Sequence, residues 1–102
     1  MASRLNLHEE FCDILGNRNA YFQSPESLKM EFPGIRYSLS GKNINRANDK
    51  NYKSINKYQV ILIDYDPESI FVDKIMNRFQ MCSFDRWYTS NNLNHFVFTL
   101  YY

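Results

Sequence analysis

Three groups of side chains have types and spacings that could do chemistry. Asp64, Asp66 and Glu68 are carboxylates at alternate positions, and several oxygens held close together can bind a divalent cation. The same residues also suit plain structural work. Asp64 would end a strand, Asp66 would cap a helix and Glu68 would complement the helix dipole; this structural role is favoured. His95 could act as a general base if an acid or nucleophile lay within reach. Cys82 and Asp85 are the nearest candidates in sequence, yet nothing beside Cys82 would activate a thiolate. Asp85 and Arg86 are adjacent on a strand, so they point to opposite faces and each is expected to reach across a strand or a subunit boundary. The third group is basic. Residues 41–57 (GKNINRANDKNYKSINK) hold five cations and one acid. Lys42, Arg46, Lys50, Lys53 and Lys57 could meet phosphates, and Tyr52 could stack on a base; a solvated loop is the favoured account.

Other chemistry has less support. The three glycines, Gly16, Gly34 and Gly41, are isolated and form no phosphate-binding loop. Cys12 and Cys82 are far apart with no C-x-x-C pair, and His8 and His95 are the only histidines, so neither a zinc site nor a disulfide framework is expected. The formal net charge is +1, too small for a global field that would draw the chain to nucleic acid or anionic lipid. The N-terminus lacks a signal-peptide apolar run, and no segment approaches the ~20 apolar residues of a membrane span. No membrane partner is expected, and the chain is expected to be made in a cytoplasm. Twelve asparagines are read as the mark of an A/T-rich genome.

The elements that would position these groups form one domain, residues 1–102, since a chain of this length can hold a single core. Residues 3–15 read as an amphipathic helix, with Ser3 as cap, Leu7, Phe11, Ile14 and Leu15 inward, Glu9, Glu10 and Asp13 outward, and Gly16 as the stop. Residues 20–23 form a short strand, broken at 24–27. Residues 34–40 alternate, with Ile35, Tyr37 and Leu39 on one face. Residues 41–57 are expected to be a long loop between antiparallel strands, with extension of the strand ends into it as the alternative. Residues 58–65 (YQVILIDY) are apolar on both faces and should be central. A second helix starts with Asp66 as cap and Pro67 in the first turn, and runs to about Arg78 with Phe71, Val72, Ile75 and Met76 toward the core. Residues 81–89 and 95–102 form two more strands, joined by Ser90-Asn91-Asn92-Leu93-Asn94, whose asparagines tolerate left-handed backbone. The order α-β-β-β-α-β-β indicates an α+β fold: a small antiparallel or mixed sheet of about five strands with both helices on one face. The aromatic last strand is the candidate subunit interface, through His95, Phe96, Val97, Phe98, Leu100 and Tyr102. It is read as paired inside the sheet or as an edge awaiting a neighbour.

The C-terminal block carries a resemblance. Phe84-Asp85-Arg86-x-Tyr88, followed by Asn92-Leu93-Asn94-His95-x-Val97-Phe98-Thr99-Leu100-Tyr101-Tyr102, resembles small head–tail junction proteins of tailed phages of low-GC Gram-positive bacteria. Weaker matches are Tyr21-Phe22-Gln23 with Pro25-Glu26-Ser27, then Phe32-Pro33-x-Ile35-x-Tyr37, then Ile63-Asp64-x-Asp66-Pro67-Glu68-Ser69. Together they span nearly the whole chain. Residues 41–57 match no family motif. The family looks like the tail terminators, or tail completion proteins, also labelled minor capsid proteins. The resemblance implies a small α+β domain without catalytic residues, cofactor or metal. It implies a virion protein, assembled in the host cytoplasm, that forms a six-membered ring on the tail tube, stops its growth and joins it to the head connector. The implied partners are further copies of the chain, the tail-tube protein and a head-completion protein, with DNA passing through the ring without sequence specificity. A head-closure or adaptor protein of the same junction is the alternative. A nucleic-acid-binding module ranks below both, and an enzyme last. A domain of this length has a diameter of roughly 30 Å, and six equal discs in a ring leave a hole about one disc wide. Ring closure requires two different patches meeting head to tail.

Overall fold

The computed structural model describes residues 4–23, 30–47 and 51–102. Its elements are α1 (Arg4–Leu15), β1 (Ala20–Phe22), β2 (Gly34–Ala47), β3 (Asn51–Asp64), α2 (Ile70–Arg78), β4 (Cys82–Ser90) and β5 (Leu93–Tyr101). The fold is α+β. The sheet is mixed, in the order β1-β2-β3-β5-β4. β1 runs parallel to β2, and every other pairing is antiparallel.

The core explains the order. Rows of side chains cross the sheet on the face that carries the helices: Ile35, Leu62 and Phe96 in one row, Tyr37, Val60 and Phe98 in the next. All six are buried, and Leu7 and Phe11 of α1, with Ile75 of α2, close over them. The apolar segment 60–63 thus lies in β3, the middle strand, where side chains on both faces can be covered. Leu7, Phe11, Ile14 and Leu15 are all buried, as their helical spacing requires. Gly16 follows α1 at φ 73° and bonds back from its N–H to the Cys12 carbonyl at 2.9 Å, a left-handed helix stop. Ser3 lies outside the described residues, as do residues 24–27.

Three sequence expectations change. Residues 41–57 are not a loop in their described part. β2 continues to Ala47 and pairs with β3 from Asn51 onward, out to the Ala47–Asn51 pair. Asn56 and its neighbours thereby satisfy backbone groups that a loop would leave to water. A register shift between Leu39 and Gly41 marks where this ribbon leaves the body. Second, α2 begins at Ile70, with Ser69 as its cap: the hydroxyl accepts from Phe71 N–H at 3.3 Å. Asp66 is engaged one turn earlier, where its carboxylate accepts from Glu68 N–H at 2.9 Å. Third, of the two readings of the last strand, pairing inside the sheet holds and the edge reading, with its interface role, falls. β5 is paired on both sides, to β3 and to β4.

Candidate functional site

β4 is the outer strand on its side of the sheet among the described residues. It follows α2 directly, yet α2 does not extend over it, and most of the strand faces solvent. Within it Phe84 is 45%, Trp87 52% and Tyr88 39% exposed, with Met81 just before it at 47%. These four make up half of the large apolar residues left exposed among the described residues.

A β-bulge sets the display. Phe84 pairs with Phe98 and Trp87 with Phe96, and the register shifts between Phe84 and Arg86. Residues three apart on a regular strand point to opposite faces. The extra residue, Asp85, corrects the parity, so Phe84 and Trp87 both lie on the helix-bearing face. They continue the two core rows past the point where the helices stop. Phe84 also touches the buried rings, with centroids 5.5 Å from Phe98 and 6.5 Å from Phe96. Asp85 is anchored on the other face, where its carboxylate accepts from the Thr99 hydroxyl; because of the bulge Arg86, paired with Val97, shares that face, so the two do not point to opposite faces as expected, although Asp85 does reach across to the next strand.

Trp87 is braced. Its indole N–H donates to Asn94 Oδ1 at 3.2 Å. The Asn94 amide, which is buried, donates to the Tyr65 carbonyl at 3.0 Å and the Asp64 carbonyl at 3.4 Å. A buried amide needs such partners, so the site's largest ring is tied to the end of β3. On the open face Tyr88 stacks on His95, with centroids 4.7 Å apart and planes 10° from parallel, and the Arg86 guanidinium lies 5.7 Å from the Tyr88 ring centroid.

The residues expected at the interface sit elsewhere. Phe96, Val97, Phe98 and Leu100 are buried in β5, because β3 and β4 flank it. Tyr102 is half-buried, and its hydroxyl donates to Glu10 of α1. Burial and this bond push its pKa up to about 12. This network continues through Arg78, whose guanidinium meets Glu10 at 3.0 Å and Asp13 at 3.3 Å. An open depression of about 600 Å³ beside it is lined by Glu9, Glu10, Asp13, Arg18 and Arg78, charges that largely pair with one another. The sequence signal that was missed is the charged pair Asp85-Arg86 inside β4. Charges and a bulge are marks of an edge strand, whereas the unbroken apolar run of β5 marks an interior one.

The proposed chemical groupings are dispersed or already engaged. Cys82 pairs with Leu100 at one end of the β4–β5 hairpin, and His95 with Tyr88 toward the other. Burial and the nearby Asp85 push the Cys82 thiol up to about 11, away from nucleophilic thiolate. Asp64 accepts from Asp66 N–H at 3.4 Å and Asp66 from Glu68 N–H, so these carboxylates serve a turn. Among the described residues no group of three or more His, Cys, Asp or Glu could hold a metal ion, and no helix is long and apolar enough to cross a membrane. Of the basic group, Lys42, Arg46, Tyr52, Lys53 and Lys57 belong to the two paired strands; Lys50 lies outside the described residues.

Fold and surface together define a small α+β domain with an aromatic edge strand on one side of its sheet and a two-stranded ribbon, basic in sequence, that extends β2 and β3 beyond the end of the body. Comparison with protein-family models finds no family that matches this chain, and comparison with curated proteins finds no match either.

Proposed function

We propose that this chain is a structural protein of a phage head–tail junction: a tail terminator that assembles as a ring, most simply of six copies, caps the tail tube and presents a surface to the head connector. The observation that carries the reading is the β4 edge. Among the described residues the folded chain leaves β4 unpaired on one side and crowds it with Phe84, Trp87 and Tyr88. Exposed edges and apolar patches favour association, so such a strand suits a protein that works by contact with neighbours. The α+β fold agrees with what the resemblance implies. Size is compatible as well. The principal extents are 50 × 24 × 22 Å, so six copies standing side by side on their narrow section would enclose a hole of about 24 Å, comparable to a DNA duplex. The interface expected on β5 moves to β4, with the ring reading otherwise unchanged.

Deleting the gene in its phage and imaging the lysate by negative-stain microscopy tests this. Overlong tails beside full, tailless heads are expected. Tails of normal length beside emptied heads would instead assign the chain to head closure at the same junction. Ordinary virions would end both readings.

A further inference from the structure

We propose that two copies of this chain pair β4 to β4, antiparallel, across a two-fold axis normal to the sheet, and that this dimer covers the edge before any larger assembly. The inference goes beyond the junction reading and stands without it. β4 has one free side among the described residues, so the dimer and a ring closed through β4 exclude each other. An exposed apolar edge is an aggregation hazard that proteins manage by covering it. The far edge, β1, offers only three residues, against nine in β4, so the longest edge that can cover β4 is another β4.

Register, face and charge select a second copy as the occupant. In an antiparallel ladder, residues bonded to one neighbour alternate with residues whose N–H and C=O turn the other way. Tyr101 N–H donates to the Met81 carbonyl at 2.9 Å, so Cys82 and Phe84 turn outward before the bulge. The tight turn at Asn91 and Asn92 is closed by the Ser90–Leu93 pair, so Trp87 and Thr89 turn outward after it. Placing Phe84 opposite the mate's Trp87 also places Cys82 opposite its Thr89. No other two-fold register pairs all four. Faces agree as well. On a regular strand this symmetry sets one residue against its own copy, because residues share a face only at an even spacing. The extra residue of the bulge moves the axis to a point between Asp85 and Arg86. Each Asp85 then lies opposite the mate's Arg86, on the open face that both occupy. Both are exposed, and among the described residues Arg86 has no ion-pair partner in its own chain. Opposite charges across neighbouring strands attract. On the helix-bearing face Phe84 meets the mate's Trp87, so the apolar rows that stop at β4 run on into the second copy.

Sedimentation velocity on the full chain should show the wild type as a dimer. Asp85→Arg sets cation against cation at the axis, and Arg86→Asp sets acid against acid, so each variant alone should be a monomer. Circular dichroism checks that each folds. A one-to-one mixture of the two should form a heterodimer, because every cation then faces an acid. The wild type gives a second reading without any substitution. Trp87 is the only tryptophan, and its emission should move to longer wavelength as dilution parts the dimer. A wild type that stays monomeric at its highest soluble concentration, a closed ring in place of the dimer, single variants as dimeric as the wild type, or a mixture of folded variants that stays monomeric would each overturn the proposal. None of these would touch the tail-length phenotype, so the two readings fail separately.

Discussion

At the residue scale, Gly34 shows how a backbone contact can fix an amino acid. A Cβ placed there would lie 2.5 Å from the Glu31 carbonyl oxygen and 3.1 Å from that of Asn19. Both obstacles are main chain, and the second also accepts from Ile35 N–H at 2.9 Å, so neither yields without loosening the start of β2. Gly34→Ala should cost about 1–3 kcal/mol, read as a lower urea midpoint at unchanged slope. His8 offers a second test. Its Nδ1 lies 2.7 Å from the Tyr37 hydroxyl, and burial, then Arg4 and Arg18, lower its pKa from the usual 6.5. A histidine with a depressed folded pKa takes up its proton more readily in the unfolded chain. Its stabilisation is present above the unfolded value and is lost as pH falls toward the folded one. The stability advantage of the wild type over His8→Gln should therefore shrink as pH drops below about 6.5, measured by paired urea titrations. Neither contact could be read from the sequence. A glycine before an alternating strand looks like punctuation, and a polar position on α1 gives no sign of the ring 29 residues away.

At the scale of elements, legibility follows how local the cause is. The β4–β5 turn was readable in kind, although it is tighter than the connection expected over 90–94: Asn91 and Asn92 sit at φ 53° and 63°, and asparagine accepts that conformation. The start of α2 was less readable because Asp66 and Ser69 can each cap, and only the path of the chain decides between them. Ser69→Ala should cost about 1 kcal/mol by removing the acceptor for Phe71 N–H, a loss that thermal melts can resolve. Strand order was the least legible, since it depends on partners distant in sequence. The apolar content of β5 fits an interior strand and a sticky edge alike, and the choice lies in the charges of its neighbour. Placing β5 between β3 and β4 raises the stakes of its last residues. Removing residues 98–102 takes away Phe98 and Leu100, both buried, at ~1.5–3 kcal/mol each, and it strips their β5 partners from Tyr58, Val60, Cys82 and Phe84. The truncated chain should lack native circular dichroism; a folded, soluble product would show that β5 is not part of the core.

At the scale of the whole molecule, shape separates body from ribbon. A compact chain of this length should have a radius of gyration of about 13 Å, whereas the value is 14.4 Å with a longest extent of 50 Å. The excess has one evident source: β2 and β3 are fourteen residues each, and at ~3.3 Å per residue such a strand spans ~46 Å, far beyond the body that the helices cover. The core residues of these two strands that are described, Ile35, Tyr37, Tyr58, Val60 and Leu62, lie at their body ends. The ribbon's strands hold each other, and an isolated two-stranded hairpin is marginal in water. Joining Leu39 directly to Tyr58 through an Asn-Gly turn, which suits a tight hairpin, should then remove the ribbon and spare the fold. Small-angle scattering of the shortened chain at high dilution should give a radius of ~12 Å, the value for a compact chain of its reduced length. Its unfolding should remain one cooperative transition, although the deletion removes the Tyr102 N–H bond on the Asn56 carbonyl, the Asn56 amide bond to the Tyr58 hydroxyl and the Lys57–Tyr101 pair. A shortened chain that unfolds would mean that the ribbon supports the body, and its extension could then no longer be separated from stability.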